Sequence, residues 1–124
     1  MASGKKVMII EDDRFLSSLI KARLEKDGLE VKQAFDGEEA IQALKQSKPD
    51  LVVLDLIMPR VTGFEVLEAI SLDPELHKIP IVILSNLAQD SDVAKAKSLG
   101  ATEYFVKVRV SIDDVIQKVK SILQ

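Results

Sequence analysis

Five polar side chains follow short apolar segments of this sequence and could together act on an oxyanion. Asp55 follows "LVVL", Glu11 and Asp12 follow "VMII", Ser85 follows "IVIL", and Lys107 follows "YFV". Three clustered carboxylates repel one another unless a cation lies among them, and oxygen ligands with open positions suit Mg²⁺. A lysine and a hydroxyl opposite would bind further oxygens of a phosphoryl group. The set would support phosphoryl transfer onto a carboxylate, with Asp55 as the nucleophile because it is single and central.

Taken one at a time, these residues have simpler interpretations. The acidic run "EDD" suits a helix N-terminus, where carboxylates complement the helix dipole. Lys107 alone would be a surface lysine, and Ser85 alone a turn or cap residue. Asp55 is harder to explain in this way, because burying an unpaired carboxylate beside "LVVL" is costly. The chemical interpretation therefore depends on whether the four apolar segments end at the same place.

The apolar segments themselves predict the strands. "VMII", "LVVL" and "IVIL" are short, branched and continuous, which is typical of strands buried on both faces of a parallel sheet. "LEVKQA" and "ATEYFV" contain polar residues, which suit strands at the sheet edges. We expect Asp55 to emerge at the end of its strand rather than to be buried within the apolar run.

Helical periodicity fills the intervals between these strands. The predicted buried stripes are Phe15, Leu16, Leu19, Ile20 and Leu24 in the first helix, Ala40, Ile41 and Leu44 in the second, Phe64, Leu67 and Ile70 in the third, Val93, Ala96 and Leu99 in the fourth, and Ile112, Val115, Ile116, Val119 and Leu123 in the fifth. Gly28 is predicted to end the first helix and Asp36 to cap the second. Ser111 and Asp114 predict a capping box for the fifth.

The β-α unit occurs five times, which predicts an α/β fold with right-handed crossovers. Three inner and two edge strands fit the flavodoxin-like (βα)5 sheet, with strand order 2-1-3-4-5 and helices on both faces. Sites in such folds lie at the carboxyl ends of the strands, so the five polar residues should converge there. We expect one domain over residues 1–124, with its core at about residues 5–124.

Composition excludes several classes of function. The formal net charge of −3 gives no support for direct nucleic-acid binding. The absence of cysteine excludes disulfides, thiolate metal sites and cysteine nucleophiles. No apolar run is long enough to cross a membrane, so we expect no membrane insertion and, by default, a cytoplasmic location.

The motifs "VMIIEDD", "VVLDLIMP" with "TG" shortly after it, "ILSN" and "YFVK" occur in this order. Together they resemble the receiver domain of a two-component response regulator, of the single-domain, chemotaxis-regulator-like type, over about residues 5–124. The resemblance implies that Asp55 is phosphorylated by a histidine kinase, a phosphotransfer protein or a small phosphodonor. It also implies a switch that assists its own phosphorylation and dephosphorylation but turns over no separate substrate.

The resemblance further assigns roles to the other site residues. Asp12 would ligate Mg²⁺ directly and Glu11 through water, while Asp55 and the backbone carbonyl of Ile57 would complete the protein ligands. Ser85 would turn toward the phosphoryl oxygens, Lys107 would contact them, and Tyr104 would be the aromatic switch. The surface of helix 4, strand 5 and helix 5 would then bind a downstream protein effector in trans.

Four positions depart from the family's usual pattern or modify its chemistry. Val108 stands where the family usually has proline in a cis bond, and a cis bond before valine would cost about 3 kcal/mol, so we expect a trans bond. Asn86 stands where Ala or Gly is more usual, and we expect it to narrow access to the site. Ile57 and Leu87 are apolar and cannot orient an attacking water, which predicts a long-lived phosphoryl group.

Three other functions fit parts of the pattern. A phosphatase of the haloacid dehalogenase type also uses a nucleophilic aspartate and Mg²⁺, but its second aspartate would stand at Ile57. An FMN-binding module needs Ser, Thr and Gly in the first β-α turn, where this chain has "EDDRF". A receiver-like scaffold that binds proteins without phosphorylation is disfavoured by the complete set of acid, hydroxyl and lysine, although Val108 leaves it open.

Overall fold

The computed structural model describes residues 4–124, in which strands and α-helices alternate along the chain. The elements are β1 (Lys6–Ile10), α1 (Arg14–Lys26), β2 (Glu30–Ala34), α2 (Gly37–Gln46), β3 (Leu51–Leu54), α3 (Gly63–Leu72), β4 (Ile81–Ser85), α4 (Asp90–Ser98), β5 (Glu103–Val106) and α5 (Ile112–Leu123), with a 3₁₀ turn (Lys107–Arg109) between β5 and α5. Among the described residues, no helix is long and apolar enough to cross a membrane.

The five strands form one parallel sheet in the order β2-β1-β3-β4-β5. This confirms the predicted α/β architecture and flavodoxin-like strand order, with β2 and β5 at the edges. Ile10 of β1 pairs with Leu54 of β3, and Ser85 of β4 pairs with Val106 of β5. The carboxyl ends of these strands therefore lie side by side, so the residues that follow them can form one site.

Helices cover both faces of the sheet, and each face has its own apolar cluster. One cluster joins alternate residues of the inner strands, such as Ile10 and Leu54, to α2, α3 and α4. The other joins the intervening residues, such as Ile9 and Val53, to α1 and α5. Because side chains alternate between the faces of a strand, strands covered on both sides must be continuously apolar. This is the physical reason that "VMII", "LVVL" and "IVIL" could be assigned from sequence.

The predicted stripe of α1 is wrong at two positions. The side chains of Phe15 and Leu19 are 80% and 41% exposed, and the buried residues of this helix are Ser17, Ile20 and Leu24. Ser17 is fully buried, and its hydroxyl is satisfied there by a hydrogen bond of 2.8 Å that it accepts from the Gln33 side chain on β2. The inward face of α1 therefore includes Ser17, which bonds to β2, and leaves Phe15 and Leu19 largely exposed.

The predicted helix ends are confirmed. Asp36 accepts a hydrogen bond from the third residue of α2, and Ser111 with Asp114 forms a capping box on α5. Gly28 follows α1 with a φ of 89°, a left-handed conformation that glycine adopts at low cost. In α4, Ala96 alone is fully buried, so this helix has the thin apolar face that the sequence predicted.

Candidate functional site

Asp55 is the first residue after β3, and its backbone N–H still donates a hydrogen bond of 2.9 Å to the Ile10 carbonyl of β1. Asp55 therefore leaves the strand at its end, as predicted, but it is still buried there, with only 4% of the residue exposed. Oδ1 accepts a 3.1 Å hydrogen bond from the N–H of Ile57, and Oδ2 accepts one of 2.9 Å from Lys107. Both oxygens are thus hydrogen-bonded, which offsets the cost of burial.

Glu11 occupies the corresponding position after β1 and is also buried, with 3% exposure. Its backbone N–H donates to the Ala34 carbonyl of β2 over 3.0 Å, which fixes the start of the loop against the sheet. One side-chain oxygen lies 2.7 Å from the Lys107 ammonium, and the other accepts a 3.0 Å hydrogen bond from the N–H of Asp13. Glu11 therefore presents its charge to the same lysine as Asp55.

Lys107 connects the two buried carboxylates from the opposite side of the site. Its ammonium lies 2.7 Å from Glu11 and 2.9 Å from Asp55, and its side chain is 19% exposed. No peptide bond in residues 4–124 is cis, so the expected trans bond between Lys107 and Val108 is confirmed. The lysine reaches the carboxylates although proline does not follow it.

A group of three carboxylates lies at the carboxyl ends of β1 and β3. Oxygens of Glu11, Asp12 and Asp55 all lie within 4.8 Å of one another, which is close enough for them to hold one metal ion. Asp12 is exposed, so the group opens to solvent on one side. The neighbouring Asp13 has another role: its side chain caps α1 by accepting a 3.1 Å hydrogen bond from the N–H of Leu16. The simple helix-terminus interpretation thus holds for the third acid of "EDD".

Ser85 on β4 and Tyr104 on β5 are both hydrogen-bonded to Leu87. Ser85 is fully buried at the end of β4, and its hydroxyl oxygen accepts a 3.4 Å hydrogen bond from the N–H of Leu87. The hydroxyl of Tyr104 donates a 2.6 Å hydrogen bond to the Leu87 carbonyl. The structure thus joins Ser85 and Tyr104 through the loop between β4 and α4.

Burial and charge perturb three groups in and beside the site. Burial raises the pKa of the Glu11 carboxyl from 4.5 to about 7, and the negative charge of Asp55 adds to the rise, although hydrogen bonding to Lys107 opposes it. Burial alone would lower the pKa of Lys107, but hydrogen bonds to the two carboxylates raise it above its ordinary value. Burial also raises the pKa of Tyr104, as does the charge of Asp92.

The loop between β3 and α3 depends on a glycine whose structural role sequence reasoning missed. A Cβ on Gly63 would lie 2.1 Å from the Asp55 carbonyl oxygen and 2.5 Å from the Cα of Leu56. The chain can return this closely past Asp55 only where the side chain is hydrogen, and α3 then begins at once, with Thr62 and Glu65 forming its capping box. The "TG" dipeptide was the available signal.

Asn86 forms a second contact that the sequence did not reveal. Its side-chain oxygen accepts a 3.2 Å hydrogen bond from the N–H of Val108, across the gap between the β4–α4 and β5–α5 loops. That Asn86 narrows access to the site stays a prediction, as does ligation by the carbonyl of Ile57. The side chain of Ile57 is 52% exposed at the border of the site.

Comparison with known proteins identifies the family. The family model "Response regulator receiver domain" matches residues 7–120. The chain belongs to this family. It is a receiver domain of the kind found in two-component response regulators, with the flavodoxin-like fold of that family. This membership and the isoleucine at position 57 both oppose the haloacid dehalogenase interpretation, and membership opposes the FMN-binding one.

The receiver domain spans different shares of its curated relatives. The phosphate regulon transcriptional regulatory protein PhoB of Rhizobium meliloti is 33% identical over 96% of this chain, which spans 52% of that relative. The polar-differentiation response regulator DivK of Brucella anthropi is 30% identical, with 96% of both chains covered. The chain spans about half the length of the first group of curated relatives, which are transcriptional regulators.

A solved structure of similar fold contains a metal ion. The Mn²⁺-bound form of response regulator Rcp1 superposes with a TM-score of 0.82 at 30% identity, covering 95% of this chain and 91% of that one. The receiver domain described here offers the acidic group of Glu11, Asp12 and Asp55 as a place where a metal could bind.

Proposed function

We propose that this receiver domain is a phosphorylation switch in which Asp55 accepts a phosphoryl group. The donor is a histidine kinase, a phosphotransfer protein or a small phosphodonor. The observation that carries the proposal is the pairing of the buried Asp55 carboxylate with Lys107 at 2.9 Å, within a group of three acids. Stability alone does not explain this buried ion pair, since apolar residues can often replace such a pair without loss of folding stability.

The donor set fits a divalent cation. With its three carboxylates and its ammonium ionised, the site has a net charge of −2, and all the side-chain ligand atoms are oxygens, which Mg²⁺ prefers. Asp12 and Asp55 would hold the ion directly, Glu11 through water, and Ile57 by its backbone carbonyl. When bound, Mg²⁺ would neutralise oxygens of the incoming phosphoryl group. The similar structure of the Mn²⁺-bound response regulator Rcp1 supports binding of a divalent cation.

The protein groups then have distinct tasks during transfer. An oxygen of Asp55 attacks phosphorus in line, a new P–O bond forms, and the bond to the donor nitrogen or oxygen breaks. Lys107, already 2.9 Å from Oδ2, stays close and balances the charge that the phosphoryl oxygens bring. Ser85 lies at the end of the adjacent strand, where its hydroxyl would donate to one of those oxygens. The protein thus acts on itself and turns over no separate substrate.

Movement of Ser85 would pass to the output surface through Leu87. Because Leu87 bonds to Ser85 through its N–H and to Tyr104 through its carbonyl, a shift of the serine disturbs both contacts. The affected surface comprises α4, β5 and α5, and α4 is held by little buried apolar area. We assign this surface to a protein effector that binds in trans, and the net charge of −3 does not favour direct contact with nucleic acid.

Incubation with acetyl phosphate, followed by intact-mass measurement, tests the proposal. The wild type should gain about 80 Da, the mass of one phosphoryl group, with Mg²⁺ and not with a chelator. Asp55→Asn should gain nothing under either condition. A wild type without the adduct would favour the alternative, a receiver-like scaffold that binds proteins without phosphorylation.

A further inference from the structure

A side chain continues the connection between β4 and β5 after their backbone pairing ends. The last paired residues of these strands are Ser85 and Val106. Directly beyond them, the side-chain oxygen of Asn86 accepts a 3.2 Å hydrogen bond from the backbone N–H of Val108. This contact ties the β4–α4 loop to the turn that follows β5.

Apart from the ion pairs of the Lys107 side chain, the turn is mostly exposed. Residues Lys107–Arg109 form a single 3₁₀ turn without a side-chain cap, and the N–H groups at the start of such a turn have no partner within it. Val108 is 80% exposed, so its side chain contributes little packing. A cavity of about 130 Å³ separates the turn from the residues of α1 and α5 around Leu16 and Val115. The bond to Asn86 therefore restrains a segment that packing leaves loose.

The restrained turn begins at the lysine of the site. Lys107 directly precedes Val108, and its ammonium must lie 2.7 Å from Glu11 and 2.9 Å from Asp55. A proline at position 108 would have no N–H to donate, so the contact needs both Asn86 and a non-proline residue at 108. We propose that Asn86 is a positioning residue: by holding the N–H of Val108, it fixes the trans turn that directs Lys107 at the two buried carboxylates.

A first experiment measures the restraint without any phosphorylation. Amide hydrogen exchange of Val108 and ¹⁵N relaxation of the Lys107 ammonium are compared in the wild type and in Asn86→Ala. We expect exchange at Val108 to become about 2 to 10 times faster, as loss of one hydrogen bond permits, and the Lys107 ammonium to become more mobile. Gln89→Ala is the matched control, because this exposed amide lies in the same loop and makes no side-chain cap bond.

Rescue by a residue that keeps an oxygen acceptor sharpens this experiment. Asn86→Asp should retain slow exchange at Val108 and a rigid Lys107 ammonium. The proposal is overturned if Asn86→Ala leaves both quantities at their wild-type values, if Gln89→Ala changes them equally, or if Asn86→Asp behaves like Asn86→Ala.

A second experiment asks whether Asn86 acts through Lys107, and its kinetic readout rests on the proposed function. Asn86→Ala should lower the rate constant of phosphorylation by acetyl phosphate about 2- to 10-fold. The same substitution should have no effect in a Lys107→Ala background, since the group to be positioned is absent. An equal reduction in that background would show that Asn86 acts independently of the lysine and would refute the proposal. If the wild type takes up no phosphoryl group, the proposed function fails, and the exchange and relaxation measurements alone decide the role of Asn86.

Discussion

The buried carboxylate of Glu11 predicts a specific dependence of stability on pH. Burial raises its pKa from 4.5 to about 7, so the folded protein without metal holds this proton more tightly than the unfolded chain does. The stability that the folded protein retains while Glu11 is protonated is fully present below pH 4.5 and is lost as the pH rises through 7. At about 1.4 kcal/mol per pKa unit, the loss amounts to roughly 3 kcal/mol above pH 7. Glu11→Gln removes this loss, while Lys107 keeps Asp55 as its partner.

Urea unfolding in chelator-treated buffer at several pH values between 5 and 8 measures this effect. We expect the free energy of unfolding of Glu11→Gln to rise relative to the wild type by up to about 3 kcal/mol as the pH increases over this range. Glu38→Gln is the matched control, because it makes the same chemical change at an exposed position on α2. A constant difference for Glu11→Gln, or one that falls with pH, would refute the reasoning about burial.

Four further substitutions test other parts of the site. Gly63→Ala forces a Cβ to within 2.1 Å of the Asp55 carbonyl oxygen, so we expect a loss of stability in thermal unfolding, of about 1–3 kcal/mol or more. Tyr104→Phe removes the hydrogen bond to Leu87 and should lower the free energy of unfolding by about 1 kcal/mol, while the extent of phosphorylation by acetyl phosphate stays unchanged. Ile57→Asn and Leu87→Glu introduce groups that can orient water, so the phosphorylated domain should lose its phosphoryl group faster, and unchanged decay would contradict the predicted long lifetime.

The inner strands could be predicted from sequence because burial on both faces leaves a continuous apolar signal. β3 was predicted at Leu51–Leu54, where the structure has it. The face of α1 could not be predicted in the same way, because Ser17 is buried and bonds to Gln33 on another element. Periodicity considers only the polarity of each residue and takes no account of a partner on another element, so Phe15 was wrongly predicted to be buried.

For the site too, the sequence predicts which residues meet at the strand ends but not how the loops around them pack. Glu11, Asp55 and Lys107 could be brought together from sequence, because parallel strands place their carboxyl ends at one edge. The burial of Asp55 was missed because it depends on how the loops pack around the strand ends, which sequence patterns do not describe. The bond between Asn86 and Val108 was missed because it joins two loops whose conformations sequence patterns do not determine.

The most direct test of the central claim is to locate the phosphoryl group on the chain. After incubation with acetyl phosphate and Mg²⁺, borohydride reduction converts an aspartyl phosphate to the corresponding alcohol, and peptide mass spectrometry then identifies the altered residue. We expect reduction at Asp55 alone, with no reduced residue in Asp55→Asn. Reduction at Asp12 or at another carboxylate, with Asp55 intact, would contradict the assignment of Asp55 as the phosphoacceptor.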